Sequence, residues 1–330
     1  MRGTVIEVEG VTKRYGAKLA VSDISFNVNE KEVVGFLGPN GAGKSTTMNI
    51  ITGYISSGTG SVRIAGTDIL SDPIEAKRKM GYLPEHPPLY PEMTVNEQLD
   101  FVYAIRRLRG EKKRVLDDAC ELVKISDVRE RVIKNPSKGY KQRVGLAQAL
   151  LGSPDILIMD EPAEGLDPKQ IVDIRNVIRE LGKSYTIVLS SHNLSEVSAI
   201  CERVIIINKG RIVADGDISS ISGSLSGEQK LFVRVAGPKD EVMRKIAGIR
   251  GVSGCEYEGS KEKGAVDCVV RAEPGMDVRR SLALELARLQ YPIIQMNPVN
   301  LSLESIYLRL TADDGTDSEP AARARGEGGL

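Results

Sequence analysis

The stretch VVGFLGPNGAGKST, residues 33 to 46, leaves the chain few folds to adopt. A short apolar run leads into Gly38-Pro39-Asn40-Gly41-Ala42-Gly43-Lys44-Ser45-Thr46, and a helical pattern follows. The spacing is G-x-x-x-x-G-K-[ST], and strand, loop and helix stand in the order this motif needs. Glycines let backbone N–H groups wrap phosphates, and the helix N-terminus adds a favourable dipole. Lys44 is then expected to reach the β- and γ-phosphates of ATP, and the Ser45 hydroxyl to ligate Mg²⁺. A chance Gly-rich turn ending in Lys-Ser would lack the flanking strand and helix.

Two further stretches support the same chemistry. ILIMDEP is an apolar run ending in Asp160 and Glu161. A buried strand there delivers Asp160 to the Mg²⁺ shell, while Glu161, just past the strand, is placed to orient and deprotonate a water. Adjacent acids at a strand end are otherwise a solvated turn. In TIVLSSHNLSE, His192 follows another apolar strand and is one of only two histidines. A neutral imidazole at that sheet edge can donate to a γ-phosphate.

The rest of the chain reads as a frame for these elements. Strands are predicted at 5–8, 33–37, 155–160, 186–190 and 204–207, several followed by helical patterns, which argues for an α/β sheet core. Between 92 and 150 the pattern is helical, with Leu116, Ala119, Cys120, Leu122 and Val123 recurring at helical spacing after Val115. This predicts a helical subdomain inserted into the core. After Gly216 comes the Ser/Gly-rich ISSISGSLSGEQ and then the alternating LFVRV. The expected division is 1–220 as the nucleotide-binding unit, 221–312 as a small α/β accessory domain, and 313–330 as a disordered tail. In the accessory domain the pattern predicts a helix at 239–248, a strand at 265–271, a helix at 276–289 and a strand at 292–296.

Composition narrows the partners. Lys plus Arg and Asp plus Glu are both 45, so no global field draws the chain to nucleic acid. The four cysteines have no metal-ligand spacing and read as reduced thiols in a cytoplasmic protein. No apolar run approaches the roughly 18 residues that span a bilayer. If a membrane is involved, another chain must supply it.

GPNGAGKST, ILIMDEP, GLDP and a His after the following strand, in that order, strongly resemble the ATP-binding cassette (ABC) ATPases over residues 4 to about 220. The resemblance implies a P-loop α/β fold and ATP hydrolysis at two composite sites in a dimer. It also implies an adenine-stacking aromatic before the cradle, a role Tyr15 in KRYGAK fits. It requires a signature Ser that caps a helix aimed at the γ-phosphate bound by the opposite subunit. Two stretches compete for that part. Leu225-Ser226-Gly227-Glu228-Gln229 lies one substitution from LSGGQ, but it follows His192 and runs into a strand. NPSKGYKQRVGLAQALLGSPDILIMDE precedes the paired acids, and Ser137 there can N-cap a helix whose Val144, Leu146, Ala147 and Leu150 share a face. The second is taken as the signature, with Ser137 and Gly139 as its phosphate-approaching residues.

Three places depart from the family pattern. The signature has Pro136, Lys138 and Tyr140 where Leu, Gly and Gln are usual. Glu85 replaces the usual Gln that touches Mg²⁺ or its water. The loop AEGLDP keeps Asp167 but has Glu164 where a small polar residue is common. The wording LYPEMTV and the absence of fused spans resemble exporter ATPases whose permease is a separate chain. A second ATPase chain and an integral-membrane permease are therefore the expected partners, on the cytoplasmic face of the cell membrane. A soluble ABC protein without a transport role and a nucleotide-gated module with little hydrolysis remain as alternatives.

Overall fold

The computed structural model describes residues 3–218, 221, 230–273, 275–298 and 307. The competing stretch 225–229 and the tail at 313–330 lie outside them.

The chain opens with a hairpin. β1 (Thr4–Tyr15) and β2 (Lys18–Asn29) are long, alternating strands joined at Gly16, whose φ of 58° suits the tight reversal. They join β4 (Thr59–Ile64) and β5 (Thr67–Asp68) in an antiparallel sheet of order β2-β1-β4-β5. Of this sheet the sequence pattern had revealed only 5–8. Register shifts at Val8/Val11 and Val11/Lys13 break the two-residue period by which strands are read.

A second sheet has six strands. β3 (Val33–Leu37), β6 (Met80–Leu83), β7 (Ile156–Asp160), β8 (Thr186–Ser191) and β9 (Arg203–Asn208) run parallel, and β10 (Arg211–Asp217) closes one edge antiparallel. The order is β10-β9-β3-β8-β7-β6. Every residue of β7 and β8 is buried, as continuous apolar runs in a parallel sheet require. Successive residues feed opposite layers. Leu37, Met159, Leu189 and Ile206 join one apolar cluster with the helices, while Phe36, Ile158, Val188 and Ile205 join another with the antiparallel sheet.

Helices α1 (Lys44–Ile51), α2 (Pro73–Arg78), α3 (Val95–Ile105), α4 (Lys112–Leu122), α5 (Lys138–Leu150), α6 (Pro168–Leu181) and α7 (Leu194–Ile200) surround this core. Between 92 and 150 the regular structure is helical, with one isolated bridge, Thr94 to Val132. Leu116, Ala119, Cys120 and Val123 are buried there, while Leu122 is exposed. α3 starts with a reciprocal cap: Thr94 Oγ1 accepts from the Glu97 N–H, and Glu97 Oε2 accepts from the Thr94 N–H at 2.8 Å. α5 lies directly on β6, where a Cβ on Gly81 would collide with the Ala149 carbonyl.

Residues 230–298 build a third sheet with its own apolar cluster. β11 (Lys230–Ala236), α8 (Lys239–Ala247), β12 (Val252–Gly259), β13 (Ala265–Ala272), α9 (Arg279–Arg288) and β14 (Ile293–Pro298) give an antiparallel order β12-β13-β11-β14. This is the ferredoxin-like βαββαβ arrangement. β12, VSGCEYEG, was missed in the sequence because two glycines and three polar residues weaken its strand pattern.

Candidate functional site

The cradle follows β3 directly. Gly43 has φ 110°, and a Cβ on it would come within 2.7 Å of the Ala20 carbonyl, so only glycine fits. A Cβ on Gly38 would come closer still to the Ile207 carbonyl, at 2.4 Å. Gly43 caps α1 and has no side chain to bond the first-turn N–H groups. That is the arrangement a phosphate needs.

Lys44 is buried at the base of the loop. Its Nζ donates to the Gly38 carbonyl at 2.9 Å and the Pro39 carbonyl at 3.4 Å, and pairs with Glu161 Oε1 at 3.2 Å. Ser45 Oγ donates to Asp160 Oδ1 at 3.3 Å. Asp160 ends β7, and Glu161 follows it with φ 47°, a left-handed turn that carries its carboxylate out of the sheet. His192 sits just past β8, with Nδ1 3.0 Å from Glu161 Oε2 and Nε2 3.6 Å from Glu164 Oε2.

A cavity of about 430 Å³ joins these groups: Tyr15, Asn40, Gly41, Gly43, Lys44, Ser45, Thr46, Glu85, Glu161 and His192 all reach its wall. Ala42 is buried, and the Gly38 and Pro39 carbonyls accept from Lys44, which lines the cavity. Tyr15 is half exposed at the end of β1, with Lys13 Nζ 5.7 Å from its ring centre. Ser137, Gly139 and Asp167 are not on this wall. Ser137 is the N-cap of α5 with its hydroxyl free of any cap bond, Gly139 lies in the first turn, and Asp167 caps α6 by accepting from the Gln170 N–H at 2.9 Å.

A carboxylate oxygen accepts and does not donate, so the 3.0 Å contact with Glu161 Oε2 is one that the tautomer with its proton on Nδ1 makes.

The sequence reading overlooked Ser190. Its Oγ donates to Asp160 Oδ1 at 2.5 Å and accepts from the Glu161 N–H at 3.0 Å, so one hydroxyl fixes both acids. Two serines closing the fully buried strand TIVLSS were the available signal. Lys18, also on the cavity wall, carried no such signal. Behind the histidine, burial pushes the Glu196 carboxyl above its ordinary range, against the lowering effect of a hydrogen bond from Ser191 Oγ at 3.1 Å.

Residues 21–164 match the family model described as ABC transporter. An uncharacterized ABC transporter ATP-binding protein of Bacillus subtilis, YhcH, is 32% identical over 94% of this chain and 97% of its own length. The lipopolysaccharide export system ATP-binding protein LptB of Haemophilus influenzae is 35% identical over 64% of this chain and 90% of its own. Among solved structures, the dimeric bacterial ABC transporter cassette MJ0796 covers 64% of this chain and 98% of its own, at 25% identity and a TM-score of 0.59. With such identity extending over nearly its whole length, the chain belongs to the ATP-binding proteins of ABC transporters and is an ATPase of that family.

Proposed function

We propose that this ATPase powers export through a separate integral-membrane permease, working as a dimer on the cytoplasmic face of the cell membrane without nucleic acid. The observation that carries the reading is the unbroken line from Lys44 to Glu161 to His192, 3.2 and 3.0 Å apart, at the mouth of the cradle. The LptB relative, named for an export system, and the dimeric MJ0796 cassette support export and pairing respectively.

In this reading Tyr15 stacks on adenine, and the loop from Gly38 to Thr46 wraps the phosphates. Lys44 exchanges the Gly38 and Pro39 carbonyls for the β- and γ-phosphates. Glu161 accepts the proton of the attacking water, and His192 holds the Glu161 carboxylate with Nδ1 while Nε2 turns to the γ-phosphate. Ser45 and Asp160 are hard oxygen donors 3.3 Å apart, a set suited to Mg²⁺, and Glu85 on the same cavity wall adds a third. When bound there, Mg²⁺ would neutralise phosphate charge. Ser137 and Gly139 complete the site of the second subunit, with Asp167 at the same interface. Binding thereby closes the dimer, and hydrolysis releases it.

The test compares Mg-ATP turnover and molecular size for the wild type and Glu161→Gln. Turnover in the wild type with an ATP-held, non-hydrolysing dimer in the variant is expected. Turnover retained in Glu161→Gln would remove Glu161 as the base.

A further inference from the structure

The first turns of α5 and α6 are clasped within one chain. The Gly139 N–H donates to Gln170 Oε1 at 3.2 Å. The Gln170 amide lies flat on that glycine, so that a Cβ there would meet its Oε1, Cδ and Cγ at 2.8 to 3.0 Å. Beside it, Lys138 Nζ covers Gly165, and a turn further along Arg143 pairs with Asp173 at 3.0 Å.

Gln170 also has a second place to go. Asp167 is the N-cap of α6 and Gln170 is its third helical residue, the spacing of a capping box. In α3 the equivalent residue, Glu97, returns to the Thr94 N–H at 2.8 Å. In α6 only half of that box is made: Asp167 accepts from the Gln170 N–H, while Gln170 Oε1 is used on Gly139 instead.

We infer that Gln170 is a positioning residue that competes with nucleotide for the signature turn. Its Oε1 holds the Gly139 N–H until the γ-phosphate carried by a second subunit displaces it, and the side chain then completes the α6 cap on the Asp167 N–H. The inference rests on the composite-site reading above. The clasp bond is part-buried whereas the Asp167 N–H belongs to an exposed residue, so the cap regains little of what the clasp gives up, and closure is driven by the charge-assisted bond of about twice the strength that the phosphate offers Gly139. Gln170 therefore raises the ATP concentration needed for closure without preventing it. It also ties the signature turn to the loop containing Gly165 and Asp167, so both are released together.

The experiment measures the dimer fraction against ATP concentration by size-exclusion chromatography in the Glu161→Gln background, with thermal melting to confirm folding. Gln170→Ala removes the competitor, and the half-maximal ATP concentration is expected to fall about fivefold per site, the value of one neutral hydrogen bond. Gln170→Met, which keeps the length but not the acceptor, should follow it. Gln170→Glu should move the midpoint upward, because a carboxylate holds the Gly139 N–H more tightly and repels the incoming phosphate. A clasp with only a structural role would shift all three upward, and that result overturns the inference, as would three unchanged midpoints. If the Glu161→Gln protein with Gln170 intact stays monomeric at millimolar ATP, the composite-site reading itself fails and takes this inference with it.

Discussion

His192 presents Nδ1 to Oε2 of Glu161 at 3.0 Å, while the other oxygen of the same carboxylate faces Lys44. The acid is thus held from both sides, and each holder has a separate job. In the proposed function Lys44 belongs to nucleotide binding and His192 to the alignment of the reacting groups. His192→Ala is expected to lower turnover by roughly a hundredfold. Affinity for a fluorescent ATP analogue should stay within about twofold, because the cradle is untouched. A parallel loss of affinity would mean that His192 supports the loop and not the chemistry.

Glu164 sits 3.6 Å from the far nitrogen of that ring, with both side chains about two-fifths exposed. Solvent screening keeps such a pair weak. Glu164→Ser should therefore reduce kcat by only about two- to fivefold, with KM for ATP unchanged. Steady-state kinetics separate this from a role in nucleotide binding, which would raise KM.

Ser190 serves Asp160 and the Glu161 N–H at once. Ser190→Ala leaves a buried carboxylate oxygen without its closest donor, a loss of about 1–3 kcal/mol. Thermal melting should drop by several degrees. Hydrolysis should fall together with the Mg²⁺ dependence, since Asp160 loses its fixed orientation. Activity at the wild-type level with an unchanged melt would show that Ser45 alone holds Asp160.

In the third sheet, Asp267 on β13 is fully buried opposite Arg234 on β11 and receives two hydrogen bonds from its guanidinium, at 2.6 and 2.9 Å. That partner holds the Asp267 carboxyl below its ordinary value of 3.8. A depressed folded-state pKa gives stability that is complete above the unfolded value and is lost as pH falls through the folded one. Asp267→Asn should cost about 2–4 kcal/mol near neutral pH, measured by urea unfolding. The deficit should persist at about pH 5 and shrink only below about pH 3.8. A deficit independent of pH down to that range and beyond would indicate lost packing in place of a lost ion pair.

The strands that carry the candidate site and their loops were legible because burial on both faces writes continuous apolar runs, and because Gly38, Asp160 and His192 each follow such a run directly. The hairpin of β1 and β2 was largely hidden. Its register shifts break the alternation, and Asp23 adopts a left-handed backbone at φ 50° within the strand, where few residue types advertise the irregularity. β6 is only four residues long, and its role depends on Gly81 admitting the backbone of α5, a contact between segments about seventy positions apart. Ser137 could be chosen over Ser226 because a cap must precede a helix, and α5 does begin at Lys138. Gln170 could not be singled out, since its partner Gly139 lies thirty-one positions earlier and only the tertiary packing brings them together.

Because neighbouring residues of β3, β7 and β8 are anchored in different apolar layers, the central sheet behaves as a plate clamped on both faces. Gly38, Asp160 and Ser191 stand on its rim, immediately beyond or at the ends of those strands. A strand cannot slide without pulling side chains out of both layers, so the spacing along the rim is stiff. A push on any helix must then tilt the rim as one body. In the proposed dimer, mechanical work would therefore pass as rigid rotation of an intact cradle, with the compliance confined to where two such rims would face each other.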